Sequence, residues 1–142
     1  MSTSVSTLAA GQALNPLVKP AITREQLSAY AEASGDHNPI HLNDDFARTA
    51  GLDGVIAHGM LSMGFLGQFV SGWMSTLEGK PGLARLKVRF SAMVKPGDVL
   101  TCKGSIKSIE QREGQTHIAL DVWAENQRGE RVTGGDADVS VA

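Results

Sequence analysis

Only one cysteine, Cys102, stands among the 142 residues, so no disulfide can form within the chain. Such a chain fits a reducing compartment, and the cytoplasm is the expected location. The opening residues, Met1-Ser-Thr-Ser-Val-Ser-Thr-Leu-Ala-Ala, have neither a basic stretch nor a long apolar run, and no secretory signal is read there. No charge of one sign prevails: the formal net charge of −2 gives no reason to expect nucleic acid or an anionic membrane as partner. Internal repeats, charge blocks and long linkers are missing too. What is present is ordinary, with 42% hydrophobic and 20% charged residues, enough to bury one sizeable core. Residues 1–142 are therefore expected to form a single domain, with the Ser-, Thr- and Ala-rich residues 1–12 as a loose terminus.

Local signals place the elements. Pro16 to Ile22 reads as a segment that could pair with a sheet edge. Thr23 and Gln26 have capping-box spacing, Ile22 and Leu27 can close a hydrophobic staple, and Gly35 ends the predicted helix. Leu27, Tyr30, Ala31 and Ser34 form its buried stripe. A short helix follows Asn43, with Asp44 and Asp45 in its first turn and Gly51 as its stop. From Gly59 to about Met74, apolar side chains point in nearly every direction, which predicts a helix buried on most sides. That segment is too short, and too rich in Gly and Ser, for a membrane span. Its small-residue stripe of Gly64, Gly67 and Ser71 suggests that another backbone or a ligand lies close. Beyond Pro81-Gly82 the pattern alternates. Leu86, Val88 and Phe90 are expected inside and Arg85, Lys87 and Arg89 outside. Strands from Val99 to about Ile109, around Ile118–Val122, and from about residue 130 to Val141 are separated by turns, which predicts an antiparallel sheet. One buried helix with several long strands gives an α+β layout, a sheet curled around the helix.

The residues able to do chemistry concentrate in Ser34-Gly35-Asp36-His37-Asn38-Pro39-Ile40-His41-Leu42. Asp36 and His41 would point about 140° apart on a helix and to opposite faces on a strand. They converge only if the chain turns between them, and Asn38-Pro39 is a turn-forming pair. A carboxylate and an imidazole in one small volume suit general acid–base work. Two plainer readings stand beside this one: capping and surface hydrogen bonding near a helix end, or a metal site using His37 and His41. Pro39 breaks the helix that would align those two histidines, and no third ligand lies nearby, so neither a metal nor a cofactor is expected. The second element is Ile56-Ala57-His58-Gly59-Met60. A helix N-terminus at Gly59 offers free N–H groups that could stabilise a developing enolate oxygen, while His58 reads chiefly as a hydrogen-bonding residue.

Ser-Gly-Asp-His-Asn-Pro-Ile-His together with Ile-Ala-His-Gly-Met-Leu resembles the MaoC-like (R)-specific enoyl-CoA hydratases, and more closely the HadB-type (3R)-hydroxyacyl-ACP dehydratase subunits. The likeness runs from about Thr23 to the C-terminus and includes Gly51-Leu52-Asp53, Val88-Arg89-Phe90 and Lys107-Ser108. It implies a hot-dog fold, usually dimeric, with itself or with a related subunit. It also implies reversible hydration of trans-2-enoyl thioesters carried on CoA or acyl carrier protein. The catalytic roles fall on Asp36 and His41, loop ordering on Asn38, and carbonyl contact on the Gly59 N–H; His58 is a further candidate for substrate binding. Some hydratases carry a serine where this chain has Gly67, which bears on acyl-chain preference. A non-catalytic acyl-binding subunit and a hot-dog thioesterase are the competing expectations.

Between Lys80 and Lys107 seven cations (Lys80, Arg85, Lys87, Arg89, Lys95, Lys103 and Lys107) face one acid, Asp98, a local charge of +6. Such a patch could meet CoA phosphates or an acidic carrier protein. Most of it reads as a solvated strand face.

Overall fold

The computed structural model describes residues 2–142. Its strands are β1 (Leu17–Val18), β2 (Pro81–Phe90), β3 (Thr101–Arg112), β4 (Gln115–Glu125) and β5 (Arg131–Val141). They form one antiparallel sheet in the order β1-β3-β4-β5-β2. The helices are α1 (Arg24–Ser34), α2 (Asp44–Thr49) and α3 (Gly59–Met74). The curled sheet holds α3 against its concave face, the α+β hot-dog arrangement that the resemblance implies.

Period-2 patterning explains the sheet. On β4 every second residue, Thr116, Ile118, Leu120, Val122 and Ala124, is buried. Val132, Ala137, Val139 and Val141 on β5 and Cys102 and Ile106 on β3 join them. The opposing surface is one face of α3, with Leu61, Phe65, Leu66, Phe69 and Val70 buried. Each such side chain contributes about 1.5–3 kcal/mol when fully withdrawn from water. Gly104 is required where helix and sheet meet. A Cβ there would lie 2.8 Å from the Asp121 carbonyl oxygen and 3.0 Å from the Phe69 ring.

Several expectations are corrected. The central helix is buried or half-buried around most of its girth, as expected, but it keeps one open stripe. Met60, Gly64 and Ser71 are exposed, and a Cβ at Gly64 or Gly67 would meet nothing within 4 Å. Apolar composition shows what a helix can bury, whereas coverage depends on the surrounding elements, which leave that stripe open. Phe90 is not an inward residue either: it is 51% exposed, and Leu86 and Val88 are only half-buried. β2 pairs through β5 alone, so it is an edge strand with little covering it. The third expected strand also runs from Thr101 to Arg112 rather than from Val99 to Ile109. Residues 2–12, expected to be loose, are held by hydrogen bonds from Gly11 N–H to the Ile106 carbonyl (2.7 Å) and from Thr3 N–H to the Thr76 carbonyl (2.7 Å). No helix among the described residues is long and apolar enough to cross a membrane.

The basic patch dissolves into pairs once the strands assemble. Arg85 faces Asp138, Lys95 Asp53, Lys103 Glu125, and Lys107 both Asp136 and Asp121. All these acids come from outside the Lys80–Lys107 segment, so the excess positive charge of that segment is largely neutralised in space.

Candidate active site

Capping brings the two motifs together. The Thr23 side chain accepts from the Gln26 N–H and starts α1, with Ile22 and Leu27 both buried beside it. Gly35 ends α1 in the left-handed region at φ 79°, its N–H donating to the Ala31 carbonyl. A residue with a Cβ would cost roughly 1–2 kcal/mol there. That reversal delivers Asp36 into a tight loop. Asp36 Oδ1 accepts from the Asn38 N–H at 3.1 Å, and Asn38 Oδ1 accepts from the Ile40 N–H at 3.2 Å. Asn38 thereby caps a single 3₁₀ turn, Pro39–His41, whose last residue is His41. The turn between the pair, demanded by their spacing, is this one.

Residues 55–58 then return beside the loop. Ile56 N–H donates to the Ile40 carbonyl at 3.1 Å and Ala57 N–H to the Val94 carbonyl at 2.7 Å. Asp44 Oδ1 anchors the same segment by accepting from the Val55 N–H at 3.0 Å. That amide, with Arg24 beside it, holds the Asp44 carboxyl below the usual carboxylate range.

With Ile56 fixed, its carbonyl accepts from His41 Nδ1–H at 2.7 Å. Neutral His41 is thus the Nδ1–H tautomer, and its Nε2 carries a free lone pair. Nε2 lies 3.9 Å from Asp36 Oδ2. This is too long for a direct hydrogen bond. The two atoms are both acceptors, so a group with two donors fits between them. His41 is buried while the Asp36 side chain is about half exposed.

His58 lies behind the pair. It is buried, its Nε2–H donates to the Asp36 backbone carbonyl at 3.0 Å, and its ring stacks on His41 at 3.8 Å and 24°. Tyr30 of α1 also packs against His58, tilted by 58° with ring centroids 4.8 Å apart. Nδ1 of His58 is buried with no hydrogen-bond partner within the described residues, a cost of about 1–3 kcal/mol.

His58 also occupies the N-cap of α3 without capping it. The Gly59 N–H, the first of the helix and so without an intrahelical partner, has no acceptor among the described residues. A Cβ at Gly59 would sit 3.1 Å from the Phe90 ring, so glycine is what lets that ring close over the helix start. Beside it opens a cavity of about 400 Å³ bordered by His41, His58, Gly59, Ser62, Met93 and Thr133. Inside, Ser62 Oγ donates to the Gly59 carbonyl at 2.8 Å and meets Thr133 Oγ1 at 2.7 Å. Ser62, rather than a residue at position 67, supplies the hydroxyl of α3 that borders this cavity.

A metal fits this geometry poorly. Asp36, His41 and His58 offer ligand atoms within 4.8 Å of one another. Stacked rings, however, aim their in-plane lone pairs side by side rather than at a common point, and His58 Nε2 is already committed. His37 turns away to Glu32 at 2.9 Å and is exposed. A second hollow of about 410 Å³ lies at the far ends of β3 to β5. His117 there is engaged with Ser140, and Glu110 with Arg112.

Sequence reading did not identify the roles of Tyr30, Ile56, Ser62, Phe90 and Thr133. Tyr30 had a signal as part of the α1 stripe, but Thr133 lies 71 positions from Ser62 and had none.

Comparison with known proteins agrees with this architecture. The MaoC like domain family matches residues 6–127, and the chain belongs to that family. The (R)-specific enoyl-CoA hydratase of Rhodospirillum rubrum is 33% identical over 90 residues, covering 62% of this chain and 60% of that protein. Fatty acid synthase 2 of Mycosarcoma maydis is 37% identical over 113 residues, which cover 76% of this chain and only 3% of the synthase. The chain therefore corresponds to a small part of the fatty acid synthases that it matches. Among solved structures, the (R)-hydratase from A. caviae involved in PHA biosynthesis superposes with a TM-score of 0.82 at 26% identity, covering 97% of this chain and 100% of that one. The HadBC (3R-hydroxyacyl-ACP dehydratase) complex from Mycobacterium tuberculosis, 20% identical with a TM-score of 0.76 and coverage of 96% and 98%, agrees in fold.

Proposed function

We propose that this chain is a hydro-lyase that reversibly hydrates trans-2-enoyl thioesters to (3R)-hydroxyacyl thioesters. The observation that carries this reading is the gap of 3.9 Å between two fixed acceptors, Asp36 Oδ2 and the His41 Nε2 lone pair. A water at ~2.8 Å from each would subtend roughly a right angle, close to its own bond angle. Its two O–H groups then point at Asp36 and His41, leaving an oxygen lone pair for Cβ of the substrate. As the C–O bond forms, the pair takes up a water proton, and a proton is returned to Cα. Negative charge passing through the thioester oxygen meets the free Gly59 N–H and the positive end of α3. Dehydration is the same path reversed. Asn38 keeps the loop closed throughout.

The substrate is carried on CoA or acyl carrier protein, within fatty-acid or related acyl metabolism, and the chain acts in the cytoplasm. It works as a dimer with itself or with a related hot-dog subunit. The single-sided edge strand β2, with Leu83 and Phe90 exposed, supports this reading. The test is a C4–C16 enoyl-CoA series with the purified chain, following enoyl absorbance and free thiol together. Loss of enoyl absorbance without thiol release supports hydration. Thiol release would instead mark a thioesterase, and an unchanged substrate an acyl-binding subunit.

A further inference from the structure

We propose that His58 is a positioning residue that fixes Asp36 and His41 relative to each other and supports His41 when it carries the proton; this rests on the hydration reading above. Both halves of the acid–base pair touch it. Its Nε2–H holds the Asp36 backbone carbonyl at 3.0 Å, and its ring lies flat on His41 at 3.8 Å. Tyr30 packs against the ring, which is 2% exposed. The Nε2 bond leaves the neutral ring with an unprotonated Nδ1, and that atom is buried without a partner.

A group held so tightly with one polar atom unpaired is an unusual choice for a helix N-cap, where Ser, Thr, Asp or Asn would satisfy the amides. Those residues would give the Asp36 carbonyl no ring N–H and His41 no ring to stack on. Histidine supplies both, and it presents the face of a neutral aromatic ring to His41. When His41 takes a proton from water, that face stabilises the imidazolium as an aromatic ring stabilises a cation. The titratable groups packed around the pair are Asp36 from the loop and Tyr30 from α1. The other residues bordering the cavity, from α3, β2, β5 and the 91–94 segment, carry no ionisable side chain.

Two variants separate the two contacts. His58→Gln keeps a donor at the place of Nε2 but removes the stacked ring. His58→Phe keeps a ring but removes the donor. Both are expected to lose about 10–100-fold in kcat, with KM changed less than about threefold, because the acid–base geometry loosens while the cavity remains. They differ in the pH profile of kcat/KM. Without the ring, protonated His41 is less favoured, so in His58→Gln the acidic limb moves to lower pH by about half a unit or more. In His58→Phe the limb stays in place. Folded variants with wild-type kcat and an unshifted limb would overturn the proposal. If either variant fails to fold, imidazole ¹⁵N shifts of the wild-type protein decide the matter. The expected pattern is Nε2–H on His58 and Nδ1–H on His41, and the reverse tautomers would overturn it. Absence of enoyl hydration by the wild type would instead remove the functional reading, leaving the tautomers to be read on their own.

Discussion

Asp36→Asn isolates the chemistry from the fold. Asparagine keeps the side-chain oxygen that accepts from the Asn38 N–H, and the backbone carbonyl that accepts from His58 is unaffected. The side chain is 51% exposed, so no cavity opens. Stability should therefore change by no more than about 0.5 kcal/mol. Catalysis should not survive so well. The amide NH₂ now faces the His41 Nε2 lone pair, a donor where an acceptor stood, and a water can no longer give both protons to the pair. Loss of one acid–base group is worth about 10²–10⁴ in rate, or roughly 2.7–5.5 kcal/mol of transition-state stabilisation. Parallel thermal melts and enoyl-thioester hydration rates check this. A variant that melts like wild type and hydrates within tenfold of it would refute the reasoning. His41→Ala is a poorer probe. It discards the bond to Ile56, the stack on His58 and a buried ring, and would cost about 2–3 kcal/mol of stability alongside any chemistry.

Further outcomes follow from the same geometry. Gly59→Ala places a methyl 3.1 Å from the Phe90 ring; because that ring is half exposed it can give way, so kcat should fall about 10–100-fold while stability drops by about 1 kcal/mol or less. For Asp44, whose carboxyl is held low first by the Val55 N–H and then by Arg24, the stabilisation is present above the ordinary Asp range and is lost as pH falls through the depressed value. Protection of the Val55 amide, its hydrogen-exchange rate set against the intrinsic rate at each pH, should fall on acidification below about pH 4, and Asp44→Asn should flatten that dependence. Cys102 is buried, and burial pushes its thiol up to about 11. Native protein should leave a thiol reagent unconsumed at neutral pH, with full reaction appearing only on unfolding.

The features visible in the sequence are those written locally. Thr23, Gly35, Asn38 and Asn43 set chain direction through bonds to residues two to four positions away, and α3 begins and ends where its pattern does. Strand existence followed from alternation, but strand neighbours did not. That Phe90 lies on an edge strand and rests on Gly59 depends on β5 closing one side of β2 and nothing among the described residues pairing with the other. The open stripe of α3 escaped for a related reason: composition records burial potential, not which surfaces exist to provide it. For the site, the spacing of Asp36 and His41 required a turn and the structure supplies one. The tautomer of His41 was beyond reach, because it is set by a carbonyl 15 positions away. The His58 contact to Asp36 spans 22 positions and carries no local signature.

The central claim is that Asp36 and His41 act on one water as a unit. A double-mutant cycle with Asp36→Asn and His41→Asn tests it most directly, since asparagine at 41 can still donate to the Ile56 carbonyl while lacking Nε2. Groups serving one proton-transfer event are strongly non-additive. The doubly substituted, folded protein should hydrate crotonyl-CoA within about tenfold of the slower single variant. Losses that multiply, or near-wild-type hydration in the folded double variant, would contradict the account.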